Sequence, residues 1–178
     1  KDNFQELFES KFLLYVGSRV HYKNFNFIIE LIKKNKEYKL VIIGSNLNAD
    51  ELKNCKEIKN NIIVYTSVSN EELNFIYNKA HCLLYPSSYE GFGIPIIEAM
   101  KSKCPVITLK NPSSLEIAKK YSLMCNDLHL DEFIKNIKKI ENLSFRDNLL
   151  KSAFKYSKRF SWDKCFNETK EFYKLILD

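Results

Sequence analysis

Glu90 and Glu98 have seven residues between them in the stretch SSYEGFGIPIIEAM, residues 87–100. Pro95 suits the first turn of a helix, where its missing N–H costs nothing. Gly91 and Gly93 let the backbone approach a ligand closely. The free N–H groups of such a helix start, with its dipole, form an anion site fit for a phosphate. Glu98 then lies about one turn in, roughly 6 Å along the axis at 1.5 Å per residue. A carboxylate among apolar neighbours needs hydrogen-bond donors, and the hydroxyls of a ribose attached to that phosphate would supply them. Glu90, on the loop facing the same crevice, is placed to accept from sugar hydroxyls. The plain alternatives are an exposed helix charge for Glu98 and a solvated loop acid for Glu90. A paired-carboxylate glycoside hydrolase is a third reading.

A second group of this kind is GSRVHYKN, residues 17–24. Arg19 and Lys23 are close enough to converge on a diphosphate from a loop entering a helix, the arginine as a fork and the lysine as a compact charge. Surface Arg and Lys are common, so the pair gains meaning only from its position at a strand end.

The elements that must position these residues are readable. FLLYVG (12–17), KLVIIG (39–44), NIIVYT (61–66), CLLYP (82–86) and PVITL (105–109) are short continuous apolar runs, the mark of strands buried on both faces, and YSLMC (121–125) adds a sixth. Helical periodicity fills the gaps, as in Phe25, Ile28, Ile29 and Ile32, then Leu73, Ile76, Tyr77 and Ala80. Alternation of this kind predicts an α/β fold, a doubly wound, Rossmann-like parallel sheet of about six strands flanked by helices, with ligands at the carboxyl ends of the strands. The chain has only four glycines, against about 12 at the average frequency of ~7%. Gly17 and Gly44 end strands, and Gly91 and Gly93 occupy the loop after the fourth.

Residues 130–140, 144–160 and 161–177 read as further helices, the last capped by Ser161. Trp162, Cys165, Phe166, Thr169, Phe172, Tyr173 and Ile176 form one stripe on that last helix, for packing on its own domain or for docking on another. The expected organisation is a polar linker tail over 1–10, a Rossmann-like ligand-binding domain over 11–160 and a C-terminal helix over 161–178.

The 178 residues, 45% hydrophobic, suit one domain rather than two. A net charge of +6 favours anionic partners, but no nucleic-acid motif or aromatic-interleaved basic stripe is present, which argues against nucleic acid. Five scattered cysteines without CxxC spacing read as reduced thiols. Three widely separated histidines give no support to a metal site. No apolar run reaches the ~18 residues of a membrane span and no signal peptide is visible, so the expected location is cytoplasmic.

Over nearly its whole length the chain resembles the C-terminal, donor-binding domain of a GT-B glycosyltransferase of the retaining group called family four. LLYVGSRVHYKNF is similar to the family's first-strand motif, KLVIIGS to its second strand, and VSNEELNFIYNKAHCLLYPSSYEGFGIPIIEAMKSKCPVIT to its most specific block, with E-x7-E on Glu90 and Glu98. The resemblance implies that Arg19 and Lys23 hold the donor diphosphate, as catalytic groups together with Glu90. It further implies that Glu98 binds the ribose, that Glu90 with the backbone of Gly91, Phe92 and Gly93 faces the donor sugar, and that Thr66 and Ser67 border the base pocket.

The implied activity is that of a hexosyltransferase. It transfers sugar from a nucleotide diphosphate sugar (GDP or UDP) to an acceptor hydroxyl with retention, in surface polysaccharide or glycoconjugate synthesis, without a separate cofactor or metal. A noncatalytic nucleotide-sugar-binding or regulatory module is the alternative. The implied partners are an acceptor saccharide or lipid-linked saccharide, an N-terminal Rossmann domain of the same chain that these residues do not include, and the inner face of a membrane touched peripherally. Asn24 stands where the family more often has Gly, a variant similar to mannosyltransferase-like members. NPSSLEIAKKYSL lacks the usual Pro-Glu and Gly-Asp steps around Glu116.

Overall fold

The computed structural model describes Phe4, Leu7 and residues 10–177. Six strands form one parallel sheet: β1 Phe12–Val16, β2 Lys39–Ile43, β3 Ile62–Tyr65, β4 Cys82–Tyr85, β5 Val106–Leu109 and β6 Leu123–Cys125. Their order is β3-β2-β1-β4-β5-β6, with Leu14 opposite Val41 on one side and Leu83 on the other. Each predicted strand is present, shorter by one or two residues where the chain turns into a loop.

Both faces of the sheet are buried, which is why these strands are apolar without alternation. Phe12, Leu14 and Val16 pack with Ile76, Tyr77, Ile96 and Met100 on one face. Leu13 and Tyr15 pack with Phe25, Ile28, Ile32, Phe133 and Ile137 on the other. The first face is covered by helices α3 Asn70–Lys79, α4 Ile94–Lys101 and α7 Leu143–Ser157, and the second by α1 Phe25–Lys34 and α6 Leu130–Lys139. Each buried Leu or Ile contributes about 1.5–3 kcal/mol of transfer free energy. The short helices α2 Ala49–Asn54 and α5 Pro112–Ile117 begin with side-chain caps from Asn48 and Asn111, and Ser69 caps α3.

The two ends of the chain differ in how they meet the core. Within the stretch expected as a polar tail, Phe4 and Leu7 are buried in the core, Phe4 lying 5.0 Å from the Tyr65 ring. The other residues of 1–9 lie outside the described ones. At the far end, helix α8 Trp162–Leu177 follows its Ser161 cap as read from the sequence, with Lys164 N–H donating to Ser161 Oγ at 3.1 Å. No residue of α8 is buried, so its stripe does not pack on its own domain. No described helix is long and apolar enough to cross a membrane.

Candidate functional site

β1 and β4 are neighbours, yet the chain leaves them toward β2 and β5 on opposite sides. This is the topological switch point, where the loops after two adjacent strands part and leave a crevice. The loop after β1 carries Arg19 and Lys23; the loop after β4 carries Glu90, Gly91, Phe92 and Gly93 and opens α4 with Glu98.

Asn24 ties the two loops together. Its backbone is left-handed, φ 53°, the conformation that Gly or Asn adopts most readily. Its Nδ2 donates to Pro86 O at 2.8 Å and Ser88 Oγ at 2.7 Å across the crevice, and Ser88 N–H donates to Tyr22 O at 2.8 Å. The departure from Gly at this position is therefore a structural strut.

Held by that strut, Lys23 Nζ lies 3.4 Å from Glu90 Oε1, both side chains about one-eighth exposed. The alignment is too poor for a hydrogen bond, so Glu90 Oε1 is buried without a hydrogen-bond partner, a position that normally asks for a donor. The Lys23 ammonium also lies over the Tyr85 ring at 5.6 Å. Burial, and after it the Glu90 carboxylate, pushes the Tyr85 phenol up. Tyr85 therefore stays protonated and able to donate.

Arg19 is placed differently from expectation. Its Nε donates to Glu51 Oε1 at 2.8 Å and Nη2 to Glu51 Oε2 at 3.1 Å, and Nη1 and Nη2 also reach the carbonyls of Ser45 and Asn46. The side chain is 5% exposed. One Nη1 hydrogen is left for a ligand, where Lys23 can turn its whole ammonium. Burial alone would raise the Glu51 carboxyl, but Arg19 and the Asn48 N–H outweigh it and hold it below the usual range. Sequence reading missed Glu51. The available signal was the capping box Asn48-x-x-Glu51, whose glutamate bonds back to the Asn48 N–H at 2.8 Å.

Gly93 caps α4 with φ 100° and Pro95 lies in the first turn, so the helix start has the expected form. Glu98, half-buried, accepts from Tyr77 Oη at 3.0 Å. One carboxylate oxygen thus has a protein donor where a ribose alone was expected to supply them. Burial, then Glu98, pushes the Tyr77 phenol up and keeps its proton in place. Phe92 stands edge-on to Phe160 at 5.9 Å. Thr66 and Ser67 are exposed past the end of β3, two strands and so roughly 10 Å from β1.

The switch point of the sheet thus has the Lys23–Glu90 pair beside the start of α4. Residues 1–159 match the family model described as glycosyl transferases group 1. The chain belongs to that family. Among group 1 relatives, an O-antigen chain mannosyltransferase of Salmonella typhimurium is 33% identical over 151 residues, covering 80% of this chain and 42% of the relative. O-antigen chain mannosyltransferase B of Escherichia coli is 33% identical over 110 residues, covering 61% of this chain and 29% of the relative. The chain therefore spans less than half the length of these relatives.

Solved structures share its fold, two of them as follows. Sucrose-phosphate synthase from Thermosynechococcus elongatus aligns with TM-score 0.79 at 18% identity over 94% of this chain and 46% of that one. Anabaena HepE, solved in complex with UDP and glucose, aligns with TM-score 0.79 at 18% identity over 96% and 50%. The architecture of this group 1 chain is the C-terminal half of a GT-B fold.

Proposed function

We propose that this chain is the donor-binding half of a retaining glycosyltransferase. It takes a nucleotide diphosphate sugar and transfers the sugar to an acceptor hydroxyl in surface polysaccharide or glycoconjugate synthesis. The relatives named as O-antigen mannosyltransferases favour a mannosyl donor. The observation that carries the reading is the paired Lys23 and Glu90 at the switch point, beside the start of α4.

In this reading the negative charge that develops on the departing diphosphate meets Lys23, the N–H groups at the start of α4 and the remaining Nη1 hydrogen of Arg19. Donors fixed in advance and aimed at developing charge supply several kcal/mol of transition-state stabilisation. Glu90, freed from Lys23 as the phosphate arrives, takes the donor-sugar hydroxyls with the backbone of Gly91, Phe92 and Gly93. Glu98, anchored by Tyr77, offers its second oxygen to the ribose. Thr66 and Ser67 border the base.

The acceptor, a saccharide or lipid-linked saccharide, is bound by an N-terminal Rossmann domain beyond these residues, against which the apolar stripe of α8 packs. The protein works in the cytoplasm, in peripheral contact with the inner face of the membrane. One half of a cleft cannot orient two substrates, so the chain alone binds donor without efficient turnover.

Calorimetry with GDP and UDP on residues 1–178 tests the donor reading. One of the two is expected to bind, at least tenfold more weakly in Lys23→Ala, a loss of about 1.4 kcal/mol, and also more weakly in Arg19→Ala. Absence of binding by both nucleotides, or an unchanged affinity in Lys23→Ala, overturns it. Sugar transfer by the full-length protein separates the enzyme from a noncatalytic binding module.

A further inference from the structure

A second cationic cleft lies away from the donor crevice. The single turn Lys119–Tyr121, the C-terminal part of α7 and the first turn of α8 border an open cleft of about 620 Å³, within the 300–1,000 Å³ usual for ligand sites. Its walls carry Lys120, Lys155, Arg159 and Lys164 between the rings of Tyr121 and Tyr156, and no carboxylate lines it. Lys164 has an acidic neighbour on its own helix, Glu168 at 3.6 Å. Arg159 lies over Tyr156 at 5.3 Å and Phe160 at 5.7 Å, and Lys120 over Tyr121 at 5.9 Å.

Cations gathered around one concavity repel each other, and an anion bound among them relieves that repulsion. The walls are also ordered in advance. Tyr121 and Tyr156 are stacked at 4.1 Å and 22°, and Tyr156 Oη donates to Glu116 O at 3.4 Å. Tyr156 meets Phe160 edge-on at 5.6 Å, and Phe160 meets Phe92. The cleft is therefore joined by two ring contacts to the loop assigned above to the donor sugar.

We propose that this cleft binds a phosphoryl group, as phosphomonoester or diphosphate, on a ligand other than the nucleotide donor. Arg159 supplies a planar fork for phosphate oxygens and the lysines supply compact charge. A ligand held there by its phosphate is coupled to the donor-sugar loop only through the Tyr156, Phe160 and Phe92 rings. The phosphate is carried either by a soluble molecule or by a lipid headgroup, and the chemistry of the cleft is the same for both.

The test uses residues 1–178 carrying Lys23→Ala, so that the donor crevice contributes little. Binding of inorganic pyrophosphate is measured by calorimetry, and binding to phosphatidic acid–phosphatidylcholine vesicles by co-sedimentation, with pure phosphatidylcholine vesicles as control. Lys155→Gln/Arg159→Gln removes two charges from the cleft. Lys135→Gln/Lys138→Gln removes two exposed charges from α6.

The cleft pair is expected to weaken binding at least tenfold and the α6 pair less than twofold, with thermal unfolding unchanged in both. Retention of pyrophosphate identifies a soluble ligand, and retention of phosphatidic acid vesicles alone identifies a headgroup. Equal losses in the two double variants, or no binding to pyrophosphate or to phosphatidic acid vesicles, overturn the proposal. Binding of GDP or UDP by the two double variants with Lys23 intact reports separately on the donor reading, since neither pair touches that crevice.

Discussion

Asn24 makes a structural demand on one residue that two different substitutions can separate. It needs a left-handed backbone and a side-chain amide that reaches Pro86 and Ser88. Gly keeps the first and loses the second; Ala loses both. With each hydrogen bond contributing about 0.5–1.5 kcal/mol and the left-handed conformation costing a residue with a Cβ about 1–2 kcal/mol, Asn24→Gly should destabilise by about 1–3 kcal/mol and Asn24→Ala by about 2–5 kcal/mol. Urea unfolding of both variants at equal m-value checks the order. Ala no worse than Gly would mean that the backbone conformation is not the constraint. Arg19 and Lys23 differ in the same residue-by-residue way: in sequence they read as one diphosphate clamp, but Glu51 engages the arginine and leaves the lysine as the freer cation.

At the scale of elements, α4 is the piece on which the proposed donor site turns, and its two preceding glycines have different tasks. A Cβ on Gly93 would stand 3.0 Å from Ile117 Cδ1 at φ 100°, strained and crowded against the core. A Cβ on Gly91 meets nothing within 4 Å. Gly93→Ala is therefore expected to cost about 1–3 kcal/mol of stability. Gly91→Ala should leave stability within about 0.5 kcal/mol yet weaken nucleotide-sugar binding relative to the free nucleotide, because the added methyl faces the proposed sugar. Thermal unfolding with paired titrations of GDP-mannose and GDP tests both, and equal stability of the two variants would refute the assignment of Gly93 to helix geometry.

The elements themselves were legible in the sequence because burial on both faces leaves a plain signal: Leu13 and Leu14 face opposite cores and both must be apolar. The contacts between elements were not. Arg19 and Glu51 are 32 positions apart, and nothing in either neighbourhood says that the capping glutamate of a short helix turns back to the first loop. The hydrogen bond from buried Tyr77 to half-buried Glu98 had the same obscurity, since periodicity places Tyr77 on a core face without saying where its hydroxyl points. A rule about buried carboxylates predicted that Glu98 needs a donor but not which residue provides it.

For the whole molecule, α8 is the part that does not belong to the packed body. Its amphipathic stripe was legible as a stripe, but the pattern of one helix says which face is apolar and not what covers it. Trp162 is 76% exposed, Phe166 67% and Phe172 61%, and exposed apolar side chains gathered on one face mark an interaction surface. The group 1 relatives extend well beyond this chain, so the proposed cover is the other half of the same protein. Two consequences then follow together. Removing residues 161–178 should leave the urea midpoint nearly unchanged and GDP or UDP affinity within twofold, because nothing in α8 is buried and no donor-site residue lies in it. In the full-length protein, Phe166→Asp/Phe172→Asp should lower stability by about 2–4 kcal/mol, since two rings then move from an apolar interface to charge, while the same pair of substitutions in residues 1–178 should have almost no effect. A large effect in the short chain, or none in the long one, would show that α8 does not join the two halves.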